Sequence, residues 1–306
     1  MIFRFTGRML AAAAFAAILT GTARAEPECR FCLFGLNGPR LEGASLSFEY
    51  GYVDMNRNWS GSRSAPAADN TDKRLRDETF LAGAGIPFGE DWSVQIELPY
   101  VDRLFVTDEN GPVEPFRHSG FGDVLLTAAY SGLLPDDCLE LVFGFKLPTG
   151  DTGYAGFPGD GQIGTGSTDL VLDLAYKNTL IGNWNWSGEI LWSKPFAGSH
   201  RFKPGSSYEA ALALSYEGLK IDAVHLTPSL QLVAETATKD AGIDADAPNS
   251  GGSSVALAPS LELSFQGWSL AGEVSFPVYQ YVRGNQLVAH QQYKLILSYA
   301  LGEDET

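Results

Sequence analysis

Two cysteines three positions apart, four histidines and a scatter of carboxylates are the groups in this sequence that could do chemistry. Cys29-Arg30-Phe31-Cys32 is a C-x-x-C, a spacing that serves redox exchange, metal ligation or a small disulfide loop. No second C-x-x-C follows, and Leu33 stands where a haem-attachment motif needs His. In an exported chain the pair Cys29 and Cys32 is expected to form a structural disulfide, which leaves Cys138 as the odd cysteine. Of the histidines, His118 and His200 fall in expected outer loops, His225 faces inward on an expected strand, and His290 begins the last one. No motif couples any of them to a nucleophile, so no catalytic residue is assigned. The acidic run Asp240 to Asp246 lacks the Gly and closing Glu of an EF-hand loop and is expected to be a solvated loop. Gly159-Asp160-Gly161 is no stronger, and neither metal nor cofactor is expected.

The compartment follows from the first residues. Arg4 and Arg8 precede an apolar run from Met9 to Leu19, then Thr20, Gly21 and Ala23-Arg24-Ala25. That is the charged region, short apolar core and small-residue cleavage site of a secretory signal peptide. The run is too short to span a bilayer as a helix. The expected organisation is a signal peptide over 1–25, a periplasmic plug segment over 26–43 and one domain over 44–306. Cleavage would leave 18 basic against 37 acidic residues and lower the charge from −16 to −19. That balance excludes a nucleic-acid binder, which needs clustered Lys and Arg. With 44% apolar residues, 19% charged and mean hydropathy −0.06, the chain is neither a helical membrane protein nor a disordered acidic tail.

The elements that must carry the carboxylates are strands. Trp92, Val94, Ile96, Leu98 and Tyr100 alternate with Ser93, Gln95, Glu97 and Pro99. The same period of two recurs along 167–177, 206–218 and 254–266, and a period of two means strands with unlike faces. Twelve such segments are expected: 44–54, 74–87, 92–104, 120–132, 139–148, 167–177, 184–196, 206–218, 221–236, 254–266, 268–282 and 289–301. Most reach the 9–11 residues that a tilted membrane strand needs.

Connections alternate in length. The long ones are 55–73, 105–119, 149–166, 197–205, 237–253 and 283–288, and the intervening turns are as brief as Gln266-Gly267. Short periplasmic turns and long outer loops are how an outer-membrane barrel is built. Aromatics agree: Trp92 and Tyr100, Trp184 and Trp192, Tyr208 and Tyr216, and Trp268 and Phe276 lie eight residues apart on single strand faces. On a tilted strand that is a rise of roughly 20 Å, near the height of the apolar band between two aromatic girdles. The opposite faces carry mainly Ser, Ala, Gly and Thr with isolated acids, which suits a crowded lumen better than a solvated surface. Closure also removes the open edges of so long a sheet. The fold expected is all-β: a transmembrane, antiparallel, up-and-down β-barrel of about 12 strands in the outer membrane.

Parity then assigns the lumen. Its strongest pore-lining or solute-binding candidates are Glu97, Asp123, Lys146, Asp169, Asp173, Glu189, Glu209 and Glu262. Glu49, Gln95, Glu217, His225, Gln231, Glu235, Glu273 and Lys294 share the inward face. Asp123, Lys146 and Asp169 fall on three successive segments, close enough for a charge cluster that braces the lumen or contacts a ligand. Such acidic walls disfavour anions and admit cations or neutral molecules, and a lumen filled by side chains fits the same residues.

The middle of the chain carries Gly120-Phe121-Gly122-Asp123, then Gly144-Phe145-Lys146-Leu147-Pro148-Thr149-Gly150-Asp151, then Gly161-Gln162-Ile163-Gly164-Thr165-Gly166-Ser167-Thr168-Asp169. This order resembles the outer-membrane transporter family named for the meta-pathway of phenol degradation, itself distantly similar to channels for fatty acids and aromatic hydrocarbons. The resemblance implies passive passage of small, often hydrophobic or aromatic solutes, with outer-membrane lipid and the solute as partners. Physically, Gly120, Gly122, Gly164 and Gly166 are expected to allow backbone conformations closed to other residues. Pro148 ends a ladder where a long loop begins. Two other classes remain open at this point: a barrel enzyme acting on lipids, and a structural or adhesive barrel whose outer loops bind a partner.

Overall fold

The computed structural model describes residues 44–301 except 110, 135–137, 156, 158–160 and 199–200. The expected signal peptide, the plug segment with Cys29 and Cys32, and His200 therefore lie outside the described residues. Alternation along the rest becomes fourteen strands. They are β1 (Ala44–Gly61), β2 (Arg63–Ser64), β3 (Asp72–Phe88), β4 (Trp92–Thr107), β5 (Glu114–Phe121), β6 (Val124–Tyr130) and β7 (Leu139–Leu147). The second half holds β8 (Ser167–Ile181), β9 (Trp184–Gly198), β10 (Ser207–Tyr216), β11 (Leu219–Ile221), β12 (Val224–Ala237), β13 (Gly252–Phe265) and β14 (Trp268–Leu301). Eleven of them close a ring in the order β10-β9-β8-β7-β6-β4-β3-β1-β14-β13-β12, and β12 returns to β10 from Ser207↔Ala237 to Ser215↔Ser229. The other three are appendages: β2 pairs β1, β5 pairs β4 and β11 pairs β12.

β14 occupies two places in the wall. Its 34 residues would stretch on the order of 110 Å if straight. Instead 268–282 pairs β13 and 282–301 pairs β1. The two arms touch: the Ala300 amide donates to the Gly267 carbonyl at 2.9 Å, and the hydroxyls of Ser269 and Ser298 meet at 2.6 Å. Gly284, at φ +62°, takes the backbone through the bend. Counted as staves, the wall has the twelve that alternation indicates.

The wall is inside out. Along β4, Trp92, Val94, Ile96, Leu98 and Tyr100 are exposed, whereas Glu97, Arg103 and Thr107 are buried. Apolar residues outward and charged residues inward suit a wall facing lipid, because its backbone hydrogen bonds are all made within the closed sheet. The aromatic spacings form two belts. Trp92 with Tyr130, Trp184 with Tyr216 and Trp268 with Tyr299 (centroids 4.7, 5.0 and 4.6 Å apart) ring the short-turn end. Tyr100 with Phe121, Trp192 with Tyr208 and Phe145 with Phe196 ring the other. Gln266-Gly267 is a two-residue turn with both residues at positive φ, the geometry that a twisted two-residue hairpin needs.

Three boundaries differ from the hydropathy pattern. β1 runs on to Gly61 and β3 starts at Asp72, so the loop expected over 55–73 shrinks to 62–71. Likewise 105–119 shrinks to 108–113, and 283–288 is no loop. Beyond the lipid both strand faces meet water or other loops, so alternation fades while the hydrogen-bonded ladder continues.

A further difference is a break in the segment expected to run unbroken over 120–132. Tyr100 pairs Phe121, but Glu97 pairs Leu125, so one extra residue is inserted at Gly122–Asp123. In β5 the outward residues are odd-numbered, with Phe121 exposed; in β6 odd-numbered Leu125 is buried. A bulge that reverses parity therefore joins the two, with the Gly122 amide donating to the Pro99 carbonyl at 2.9 Å.

Candidate functional site

The bulge delivers Asp123 into the barrel, where the three motif segments meet. Asp123 Oδ1 accepts from the Gly150 amide at 2.9 Å. Its Oδ2 accepts from the Thr165 amide at 2.9 Å and the Thr165 hydroxyl at 2.6 Å. That hydroxyl lies 3.1 Å from the Ser167 hydroxyl, which donates to Asp169 Oδ1 at 2.6 Å. Lys146 Nζ stands 3.0 Å from Asp169 Oδ2 and 3.7 Å from Asp123 Oδ2. The expected cluster thus exists, although Asp123 sits in a bulge and not on a strand. The glycines work differently from expectation. Of the four, only Gly166 (φ +65°) has positive φ, whereas Gly164 is needed because a Cβ there would lie 2.4 Å from the Gly150 backbone.

This knot anchors both ends of a long loop, 148–166, whose described residues turn inward at Phe157. Phe157 shares a buried apolar cluster with Met55 of β1, Leu75 of β3, Phe105 of β4 and Ala289 of β14, all on staves away from the loop's own strands. Its ring lies 5.8 Å from that of Phe105. Gln162 knits the loop to itself, donating to the carbonyls of Tyr154 and Phe157 at 2.9 Å each and accepting from the Tyr154 amide. Arg103 latches it to the wall. The guanidinium donates to Asp77 Oδ1 and Oδ2 at 2.8 and 2.7 Å, and to the Gly161 and Gln162 carbonyls at 2.9 and 2.8 Å. Arg103 and Asp77 are both buried. On the outer side, His118 stacks on Tyr154 (centroids 3.7 Å apart) and its Nε2 lies 3.1 Å from Asp151 Oδ2. His118 belongs to β5 and not to a loop as expected.

Arg103, Asp77, Phe157 and Gln162 are the residues that sequence reasoning missed. Arg103 carried a signal, since it shares the inward parity of Glu97 on the same segment. The two stand six positions apart, too far for them to pair, so an arginine on that lumen face asks for a partner elsewhere. Phe157 carried none, because an inward-folding loop has no periodicity, and Gln162 stood in the Gly161–Asp169 motif without a role assigned to it. Asp240 also departs from expectation: it is buried, accepts from the Gly205 amide at 2.9 Å and donates its own amide to the Ser250 hydroxyl at 3.0 Å. It is a brace between two loops, not a solvated acid.

Below the knot lies a belt of acids. Glu97 of β4, Asp173 of β8, Glu189 of β9 and Glu209 of β10 face inward with Glu49 of β1, Glu235 of β12 and Glu273 of β14. Glu97 accepts from Gln95 at 2.9 Å. Lys294 is 3.9 Å from Glu273, and its charge acts on Glu49, Glu97, Glu189 and Glu209 across the interior. Glu262 stands apart towards the short-turn end, where its charged neighbour is Glu217. Past the outer aromatic belt, the Arg117 guanidinium beside Asp102 (2.9 Å from Nε to Oδ1) holds that carboxyl below its usual range.

The family model described as "Putative MetA-pathway of phenol degradation" matches residues 67–290. Among solved structures, an outer membrane channel of the COG4313 group from Pseudomonas putida F1 is similar, at 16% identity and TM-score 0.62, covering 84% of this chain and 95% of that one. The beta domain of the Bordetella autotransporter BrkA is similar at 10% identity and TM-score 0.53, covering 85% of this chain and 99% of that one. The transport unit of the autotransporter AIDA-I from Escherichia coli is similar at 8% identity and TM-score 0.52, covering 95% and 98%. These likenesses show the fold. No curated protein matches the sequence.

Proposed function

The chain belongs to the family described as "Putative MetA-pathway of phenol degradation", and from that premise we propose a passive outer-membrane channel for small hydrophobic or aromatic solutes. The observation that carries this reading is the inward loop 148–166, latched by Arg103 at the outer mouth of a closed barrel. A wall built only to anchor or adhere has no need of a constriction inside it. The loop sets the width of the path, and the buried apolar cluster around Phe157 holds it against the wall at the narrow point. The inward carboxylates Glu97, Asp173, Glu189, Glu209 and Glu262 line the path, while Asp123, Lys146 and Asp169 hold the loop's base. Residues 1–25 would direct export and be removed from the exported chain, and the solute moves down its own gradient. Liposomes containing the refolded barrel should take up neutral phenolic or benzylic solutes faster than empty liposomes. Equal rates would overturn the reading.

A further inference from the structure

The acids of β8, β9 and β10 are set too close together to be mere lining. Asp173 and Glu209 both pair with Leu191, one from each side of β9. Glu189 lies two residues further along the same face of β9, and Glu235 of β12 is directly opposite Glu209. Like charges placed directly opposite destabilise a sheet, so this patch costs stability unless something positive occupies it. Asp173 is only 2% exposed, and among the described residues no side chain donates to either of its carboxylate oxygens, the Leu174 backbone amide being the one donor near it. A buried carboxylate in that position needs a proton or a cation. The charges of Asp173, Glu189 and Glu209 act on one another, and the cation acting on Glu189 and Glu209 is Lys294, already beside Glu273.

We propose that Asp173, Glu189 and Glu209 form a subsite for the ammonium group of small amphipathic amines passing through the barrel, which rests on the channel reading above. A chelated metal fits poorly, because among the described residues no three His, Cys, Asp or Glu side chains stand at metal-ligand spacing. A diffuse monovalent charge needs no such convergence. The apolar half of the ligand also has apolar neighbours, since Leu191, directly between Asp173 and Glu209, packs with Val171 and Leu125. The subsite thus combines a head-group field with an adjoining apolar wall.

The test compares three probes of one size, benzylammonium, benzyl alcohol and benzoate, with the full-length barrel in liposomes and planar bilayers. Benzylammonium should pass about tenfold faster than benzoate, a difference of ~1.4 kcal/mol between the two ions. D173N and E209Q should each narrow that ratio in barrels whose heat-modifiable gel shift shows that they have folded. Should either variant fail to insert, the wild-type reversal potential in a salt gradient decides, because the subsite requires a cation-selective sign. Passage of benzyl alcohol with no preference between the two ions would overturn the subsite alone. Passage of none of the three would overturn the channel reading and the subsite with it.

Discussion

Arg103 holds two parts of the molecule at once, the wall through Asp77 and the loop through two carbonyls. Replacing it with Met keeps most of the aliphatic stem but leaves the buried Asp77 carboxylate without its guanidinium. Breaking one side of a buried pair costs about 3–5 kcal/mol. R103M should therefore lower the temperature of the heat-modifiable gel shift and open 150–164 to protease in folded barrels. An unchanged cleavage pattern would show that the latch is dispensable. At this scale much is legible in the sequence: parity alone puts Asp123, Lys146 and Asp169 inside, and the distances agree. What parity does not contain is the partner of a side chain. Whether Asp123 meets a lysine, a threonine or an amide depends on where an aperiodic loop goes.

Elements explain the glycines and the break. Gly122–Asp123 forms a bulge against Pro99, so the fourth stave changes parity halfway. The hydropathy pattern hides this, because both halves still alternate on their own. The Gly150–Gly164 contact is the element-level counterpart. Gly164→Val would drive its Cβ into the Gly150 backbone, an overpacking that costs about 1–3 kcal/mol. The loop base should loosen, and the protease sensitivity of G164V should match that of R103M. Further out, Asp102 is held below the ordinary carboxylate range by Arg117. Its contribution is therefore present above the unfolded value and lost as pH falls through the depressed one. In R117A the Asp102 carboxyl should titrate in the ordinary range by carbon NMR. An unchanged titration would contradict the pairing. Strand ends are the least legible elements, since β1 and β4 extend past the lipid where neither face is sorted.

At the scale of the whole molecule, composition misleads and pattern does not. Mean hydropathy is −0.06 because lipid-facing and lumen-facing residues alternate and cancel. Alternation, aromatic spacing and loop parity nevertheless lead to a closed barrel of about twelve staves, and the wall has that number. The path of 148–166 into the lumen is invisible to all three. The channel reading turns on that path, and single-channel conductance measures it directly. Wild-type barrels should show low conductance, and a variant with 152–162 replaced by a short Gly-Ser link should show a conductance several times larger. Equal conductance in the two would contradict a channel whose width is set by this loop.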